Sequence, residues 1–382
     1  MADTIIGDTS PQAVKRWSDE LMRETFGKMA IRGLIGRSND SPIKLLTDLD
    51  KDPGDNVKYD LRKQDRSTGV SGDAPLSGAF FNAGATDAGG ESEMIFWQDE
   101  LNINQKRNAH VFGSMTQQRT VHDLRKEARD SMSNWFAWGI EAGTLAHLAG
   151  TTGTGNESAE PFLYETETGN AITSGDDVFG NPLEAIDAAH LVNGSGGTFT
   201  TGLIEDAVAK AKTVNPRVAP ARIDGEMGYI MLVHPYAARS LRKEFDAAGN
   251  AGWIDSMRRA AVRGEANPIW TGALGKYNGT ILVENEFVPY TTVGTQAHNI
   301  FMGACAGAIA FGNAWNRMSR VRSGGGGSYW SYIENVDDYG NKTGFGTGSV
   351  MGVTRAMFDS GPADASAAFG CVVVPSLEAP PV

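Results

Sequence analysis

Alternating apolar and polar residues flank a long glycine-rich stretch in the first third of the chain. Val57, Tyr59 and Leu61 alternate with charged residues, and Leu101 lies in a second such alternation. A period of two is typical of a strand with one solvated face. The stretch between the two patterns is far longer than an ordinary turn. The pattern therefore predicts a long hairpin-like projection over residues 57–106.

Aromatic residues on this projection would be poorly buried by the projection itself. Phe80 and Phe81 lie in its glycine-rich part, and Trp97 lies where the second strand begins. Exposed aromatic side chains of this kind indicate a partner surface. We therefore predict that Phe80, Phe81 and Trp97 contact another chain.

The first 56 residues predict an arm. Pro11 is placed as in the first turn of a helix, and Val14, Trp17 and Leu21 recur at helical spacing with charges between them. A short amphipathic helix of this kind needs another surface to cover its apolar side. Trp17 is therefore a further candidate contact residue.

The strongest helical pattern begins near Thr116 and ends at Gly150, where a glycine is a natural stop. Its apolar stripe has spacings of three or four and comprises Val121, Leu124, Ala128, Met132, Trp135, Gly139, Ala142 and Ala146. We predict one helix of about thirty residues within 116–150, a rod of about 45 Å. The predicted core residues of this helix are Leu124, Met132, Trp135 and Phe136.

Basic residues at the start of this helix permit two interpretations. Arg119, His122, Lys126 and Arg129 line one side, with Arg125 beside them. They could grip nucleic acid, or they could form a salt-bridged structural face. The carboxylates at positions 123, 127 and 130 nearly neutralise the patch, which favours the structural face. Arg125 and Arg129 are predicted to contact a neighbouring chain.

Helix and strand patterns mix over residues 201–375. A helix follows Thr201, and the buried strand "GYIMLV" leads through His234 into a helix that starts near Pro235. The segments "GTILVENEFV" and "HNIFMGACAGAIAFG" predict further strands. No regular strand–helix–strand repeat is present, so the predicted class is α+β. Residues 151–200 are loop-rich, and residues 376–382 form a proline-rich tail.

Charge and cysteine content narrow the choice of function. The net charge is −12, which disfavours a general nucleic-acid coat. The two cysteines, Cys305 and Cys371, lie in apolar stretches and are predicted to be buried free thiols. The amino terminus lacks the pattern of a secretory signal, and no apolar run approaches a membrane span. We expect folding in a cytoplasm and no membrane partner.

Catalytic and metal-binding patterns are weak. The aspartates at 48, 50 and 52 resemble the start of a calcium loop, but Pro53 and Tyr59 occupy the positions that need glycine and glutamate. The chain lacks a nucleophile elbow, a zinc helix motif and a phosphate loop. A hydrolase with an unusual site is supported only by the glycine-rich loops. We predict no enzyme activity, no cofactor and no metal site.

Two longer stretches resemble the major capsid protein family of tailed bacteriophages, of the N-four-like podophage type. They are "LTDLDKDPGDNVKYDLRKQDRSTGVSGDAPLSG" and "LNINQKRNAHVFGSMTQQRTVHDLRKEARDSMSNWFAWGIEAGTLAHLAG". The resemblance implies the Hong Kong 97-type capsid fold, in the α+β class. Its parts would be an arm at 1–56, an extended loop at 57–107, a discontinuous peripheral domain at 108–200 with a spine helix at 117–150, an axial domain mostly within 201–375 and a tail at 376–382.

The resemblance also implies a function and partners. Copies of the chain would assemble into hexamers and pentamers of an icosahedral head, which encloses double-stranded DNA without sequence-specific binding. The remaining partners would be a portal, decoration proteins and a scaffolding protein. No scaffold-like segment precedes the arm, so the scaffold is expected to be a separate protein. The expected location is the virion, after assembly in the host cytoplasm.

Overall fold

A computed structural model of the chain describes residues 21, 23–46, 56–63, 94–150, 183, 186–192, 197–223, 225–244, 275–291, 296–312, 330–359 and 367–380. Three predicted contact residues, Trp17, Phe80 and Phe81, lie outside these ranges. So do the aspartate-rich segment 48–52 and most of the loop-rich region 151–200.

The chain forms five α-helices within these residues, together with short 3-10 turns. They are α1 (residues 23–28), α2 (Ser114–Arg119), α3 (Leu124–Ala149), α4 (Thr201–Thr213) and α5 (Pro235–Arg242). The strands are β1 (Ile35–Gly36), β2 (Ile43–Leu46), β3 (Asn56–Arg62), β4 (Phe96–Asn102), β5 (Asn104–Gly113), β6 (Ala221–Ile223), β7 (Glu226–Val233), β8 (Lys276–Tyr277), β9 (Thr280–Glu284), β10 (Tyr290–Thr291), β11 (Gln296–Met302), β12 (Gly307–Gly312), β13 (Trp330–Asp337), β14 (Lys342–Arg355), β15 (Met357–Phe358), β16 (Ala367–Ala368) and β17 (Cys371–Leu377).

The first sheet is built around the long strand β14. Its order is β1-β2-β12-β14-β13, and β5 also pairs with β14. Side chains alternate across a strand, and β14 uses both of its faces. Phe345, Met351 and Val353 share a core with α3. Val350, on the opposite face, shares a core with the β3–β4 hairpin.

The second sheet lies between helices. Its order is β10-β11-β7-β9-β8, with β17 on β11 and β6 on β7. Ile300 and Met302 of β11 join the core around α3, whereas Phe301 between them joins a second core with α4 and α5. This strand is therefore buried on both faces, and its residues from Ala297 to Met302 are all buried, including the polar His298 and Asn299.

Helix α3 connects the two sheets. Met132, Phe136 and Ile140 lie in one core cluster with Ile309 of β12 in the first sheet and Ile300 of β11 in the second. Its carboxyl-terminal half is buried all round, as the sequence predicts for this half. The helix is therefore the element against which both sheets pack.

The run "HNIFMGACAGAIAFG" forms strands, as predicted, but its two strands belong to different sheets. The crossing at Gly303–Ala306 carries the chain from β11 to β12. Ala304 donates a backbone hydrogen bond to Ala219 (2.8 Å), and Cys305 donates one to Ser41 (2.9 Å). The range 201–375 consequently contributes strands to both sheets.

The long helix begins later than predicted. Ser114–Arg119 form the separate helix α2, and α3 starts at Leu124. The Asp123 side chain accepts hydrogen bonds from the backbone N–H groups of Arg125 (3.1 Å) and Lys126 (3.5 Å), which caps α3 there. The prediction that Val121 belongs to the buried stripe is wrong, because Val121 lies between the helices and is fully exposed.

The first residues of the predicted tail pack against the rest of the chain. Strand β17 continues through Leu377, whose N–H donates to the Gly197 carbonyl at 3.0 Å. Glu378 is buried and accepts hydrogen bonds from the Phe199 N–H (2.8 Å) and the Ser240 hydroxyl (2.5 Å). The first residues of the segment 376–382 are therefore part of the second sheet and its surroundings.

Candidate functional site

The end of the predicted arm is fixed along the first half of α3 by charged contacts. Lys28 Nζ lies 2.5 Å from Asp130 Oδ1 and 2.5 Å from Ser133 Oγ. Arg129 pairs with Glu24 at 2.9 Å. The described part of the arm is therefore attached to its own chain rather than projecting freely.

Glu141 joins the arm, α3 and the loop after β9. This side chain is 2% exposed and accepts hydrogen bonds from the Ala30 N–H (3.1 Å) and Asn285 Nδ2 (2.5 Å). Burial raises the pKa of the Glu141 carboxyl, against the opposing effect of these hydrogen bonds. Sequence reasoning missed this residue, because a single glutamate in an apolar helix carries no periodic signal.

The two arginines predicted to contact another chain both have acidic partners in their own chain. Arg125 pairs with Glu334 of β13 and lies over the Phe345 ring, 5.9 Å from its centroid. Arg129 pairs with Glu24. These ion pairs support the salt-bridged interpretation of the basic helix start. Contact of either arginine with a neighbouring chain stays a prediction.

The base of the predicted projection is a two-stranded hairpin that packs on its own chain. Strands β3 and β4 pair antiparallel, with Val57 opposite Leu101. Val57, Tyr59 and Leu61 are buried against the first sheet. The base of the projection therefore buries apolar surface on its own chain, because the inward side of β3 is apolar and covers Val350.

A buried polar contact fixes the register of this hairpin. The Tyr59 hydroxyl donates to Asp99 Oδ2 at 2.5 Å, and the same carboxylate oxygen accepts from the Met357 N–H at 3.0 Å. Burial, followed by the charge of Asp99, raises the pKa of Tyr59 well above its usual value. Burial also raises the pKa of Asp99. The contact ties the hairpin to β15.

The far end of the described hairpin is more exposed. Trp97, a predicted contact residue, is half-buried against the hairpin core. Met94 is 67% exposed and Phe96 is 56% exposed. Sequence reasoning singled out Trp97 and missed these two neighbours, although both belong to the apolar run "EMIFW" on which the second strand was predicted.

The four predicted core residues of the long helix divide into two groups. Met132 and Phe136 are fully buried. Trp135 is half-buried and meets the Phe136 ring edge-on, with a centroid distance of 4.9 Å. Leu124 is half-buried at the first residue of α3.

Titratable and nucleophilic side chains do not converge on a reactive centre in the described residues. Cys305 and Cys371 are buried free thiols, as predicted, and burial raises the pKa of Cys371 to about 11. No group of three metal-ligating side chains lies together within these ranges. Nor is any helix of the described residues long and apolar enough to cross a membrane.

The chain is similar to phage capsid proteins over nearly its whole length. A family model described as "Phage capsid protein" matches residues 5–379. The major capsid protein of Pseudomonas phage KPP25 is 25% identical over 379 residues, which cover 90% of this chain and 89% of that protein. The solved capsid of Ralstonia phage GP4 is 26% identical, with a TM-score of 0.70 and coverage of 100% of both chains. The cyanophage Pam1 capsid shares the fold, with a TM-score of 0.64, 14% identity and 92% coverage of each chain.

Proposed function

The chain belongs to the phage capsid protein family, and on that premise we propose that its arm and hairpin join copies into hexamers and pentamers. The predicted family resemblance and the α+β capsid fold are confirmed. The chain is a structural capsid protein, the shell subunit of an icosahedral phage head. The match that extends from residue 5 to residue 379 carries this conclusion.

Two features of the subunit support the proposed contacts. The hairpin base is held by the Tyr59–Asp99 contact, while Met94 and Phe96 at the far end of the described hairpin expose apolar surface. A fixed base with an apolar far end is suited to present that end to a neighbour. Trp17, Phe80 and Phe81 are proposed contacts on the same reasoning from sequence.

The two sheets support an assignment of domains. We propose that the first sheet with α3 forms the peripheral domain and that the second sheet forms the axial domain. The described residues of 201–302 and 371–377 would then be axial, and those of 307–355 would return to the peripheral domain. Strand β14 pairs with β5, which lies largely in the predicted peripheral range 108–200, and this pairing supports the assignment of β14 to the peripheral domain.

Charge supports the proposed relation to DNA. The subunit carries a net charge of −12, and the Arg125 and Arg129 guanidinium groups are paired with carboxylates. We propose that the shell encloses double-stranded DNA without sequence-specific binding. We further propose assembly in the host cytoplasm with a separate scaffolding protein, a portal and decoration proteins, and no catalytic activity of the chain.

Expression of the full chain in bacteria, with and without the other head proteins of its phage, tests this proposal. We expect closed shells or rings of five and six copies in negative-stain electron micrographs. Sedimentation velocity provides an independent measure of particle size. A folded chain that remains monomeric in both settings would contradict the proposal.

A further inference from the structure

Exposed apolar and acidic side chains meet at the turn between β13 and β14. We define the acidic turn as Asp337, Asp338 and Tyr339; all three are exposed, and the Tyr339 side chain is fully so. Neither aspartate has an ion-pair partner among the described residues. Their carboxylates instead accept hydrogen bonds from the Asp338 N–H (2.8 Å) and Asn341 Nδ2 (3.1 Å).

The backbone of this turn is strained in a way that displays the tyrosine. Asp338 and Tyr339 both have φ of 53°, in the left-handed region, and Gly340 follows at 94°. Aspartate and glycine tolerate this region, but a bulky tyrosine does so only at a cost. A strained residue with a fully exposed ring indicates that the ring serves something outside its own subunit.

A second exposed surface lies at the connection between α2 and α3. We define the basic connection as Arg119, Val121, His122 and Lys126, all of them exposed, with Val121 completely so. Unlike Arg125 and Arg129, the side chains of Arg119 and Lys126 have no partner within the part of the chain that the structure describes. These are the basic residues of the helix start that internal ion pairs do not account for.

Hydrogen bonds link the chain segments that carry the two surfaces on one subunit. The Ser114 N–H donates to the Asn341 carbonyl at 2.8 Å, and the Ser114 hydroxyl lies 2.9 Å from Asn341 Oδ1. These bonds tie the start of α2 to the residue that follows the acidic turn. A chain that displays two complementary surfaces in fixed relation is suited to repeated head-to-tail contact with copies of itself.

We propose that the acidic turn of one copy docks on the basic connection of a neighbouring copy, with Tyr339 covering Val121 and the aspartates facing Arg119 and Lys126. This inference rests on the proposed function and names a specific contact within it. A second copy is the occupant because one surface is acidic and aromatic, the other basic and apolar, and shell assembly brings many copies together.

Nearby charges of the other sign modify this complementarity. Asp123 and Glu127 lie beside the basic connection, and Lys342 lies beside the acidic turn. The Asp123 carboxylate is engaged at the amino terminus of α3, where it accepts two backbone hydrogen bonds. Helix amino termini favour negative charge, so Asp123 and Glu127 are partly compensated within the subunit.

Tyr339→Gly separates a contact role from a folding role. Glycine relieves the left-handed strain, so the isolated subunit should unfold at the same or a slightly higher temperature than wild type. Loss of the ring should lower the yield of shells at least tenfold at equal protein concentration. Unchanged shell yield, or a subunit that unfolds several degrees earlier, would contradict the proposal. Val336→Ser is the matched control, since it removes an exposed apolar side chain beside the turn.

A charge exchange tests the pairing itself. Lys126→Glu places a carboxylate in the first turn of α3, where the helix dipole favours negative charge. For Asp337→Lys, the backbone φ at position 337 is −123°, which lysine adopts as readily as aspartate. Each single reversal should lower the yield of shells at least tenfold relative to wild type. The double variant, with both reversals in one chain, should recover at least half of the wild-type yield. Asp206→Lys, an exposed reversal on α4, is the control and should assemble normally.

The outcomes distinguish this contact from the proposed function and from nucleic-acid binding. If the wild-type chain forms shells and the charge-reversal variants form them in the same yield, the proposed contact is wrong but the proposed function stands. A wild-type chain that never assembles would overturn both proposals. If Lys126→Glu shells form normally but retain less DNA in a gel-shift assay, the basic connection binds nucleic acid and the docking proposal is wrong.

Discussion

At the scale of single residues, two buried histidines are expected to make the subunit less stable in acid. His298 is 1% exposed, and neither of its ring nitrogens has a hydrogen-bond partner in the described residues. Burial lowers the pKa of His298 and of His234 to about 4 each. In the unfolded chain both would titrate near the usual pKa of about 6.5. Their contribution to stability is therefore complete above about 6.5 and is lost as the pH falls toward 4.

His298→Leu should weaken this pH dependence. The variant removes one proton that the unfolded chain binds before the folded chain does, worth about 3 kcal/mol between pH 7 and pH 4. Urea unfolding at pH 7, 5.5 and 4 measures the effect as the difference between variant and wild type. Exposed His122→Gln is the control and should follow wild type. If the free energy of unfolding of His298→Leu changes with pH as much as that of wild type, His298 is not buried in its neutral form.

The more deeply an aromatic side chain of α3 is buried, the more stability its replacement by alanine should remove. Phe136→Ala should destabilise the subunit by about 3–5 kcal/mol, because the ring is fully buried in the shared core. Trp135→Ala should cost less, about 1–3 kcal/mol, since Trp135 is half-buried. Trp138→Ala is the control, because Trp138 is 58% exposed. Urea unfolding at neutral pH provides the comparison, and a larger cost at Trp138 than at Phe136 would contradict the assigned buried face.

At the scale of elements, the crossing at Gly303–Ala306 joins the two sheets. A Cβ atom on Gly303 would lie 2.0 Å from the Ala219 carbonyl oxygen. One on Gly370 would lie 2.5 Å from the Ala304 carbonyl oxygen. Both contacts are with backbone, which cannot move aside as a flexible side chain would. The crossing is thus a closely packed joint rather than a loose linker.

Gly303→Ala and Gly370→Ala should each destabilise the subunit by about 3 kcal/mol through overpacking. Gly344→Ala is the matched control within β14, because its Cβ would have its nearest contact at an ordinary 3.5 Å. Thermal unfolding of the three variants measures the effect. Near-wild-type stability of Gly303→Ala would show that the crossing has room to relax.

At the scale of the whole molecule, subunit folding and shell assembly should separate at the hairpin. The base formed by β3 and β4 is held by its own chain through Leu61, Tyr59 and Asp99. The proposed function assigns assembly to the part beyond this base. A change confined to that part should therefore leave the subunit core in place.

Replacement of residues 64–93 by a short glycine–asparagine turn tests this separation. We expect a subunit that unfolds within a few degrees of wild type, because the described base and core are retained. Shells should be absent from electron micrographs of the variant. Normal shells would contradict the assembly role of the projection. Near-ultraviolet circular dichroism is the control that the subunit core is intact.

Local periodicity determined the identity of most elements. The period of two predicted β3 and β4, and the helical stripe predicted α3, because each pattern depends on residues a few positions apart. Mixed patterns predicted the α+β class, and apolar surroundings predicted buried cysteines. The predicted start of α3 was too early. The apolar spacing continues back to Val121, but the Asp123 side chain caps the helix, which therefore begins at Leu124.

Only the tertiary structure decided which elements meet. One apolar run forms β11 and β12, but long-range hydrogen bonds to Ala219 and Ser41 divide it between two sheets. The burial of the hairpin base, the joint at Glu141 and the adjacency of the acidic turn to α2 likewise depend on contacts between residues far apart in the chain. Sequence patterns report which face of an element is apolar, whereas the partner that covers that face is chosen by packing across the whole molecule.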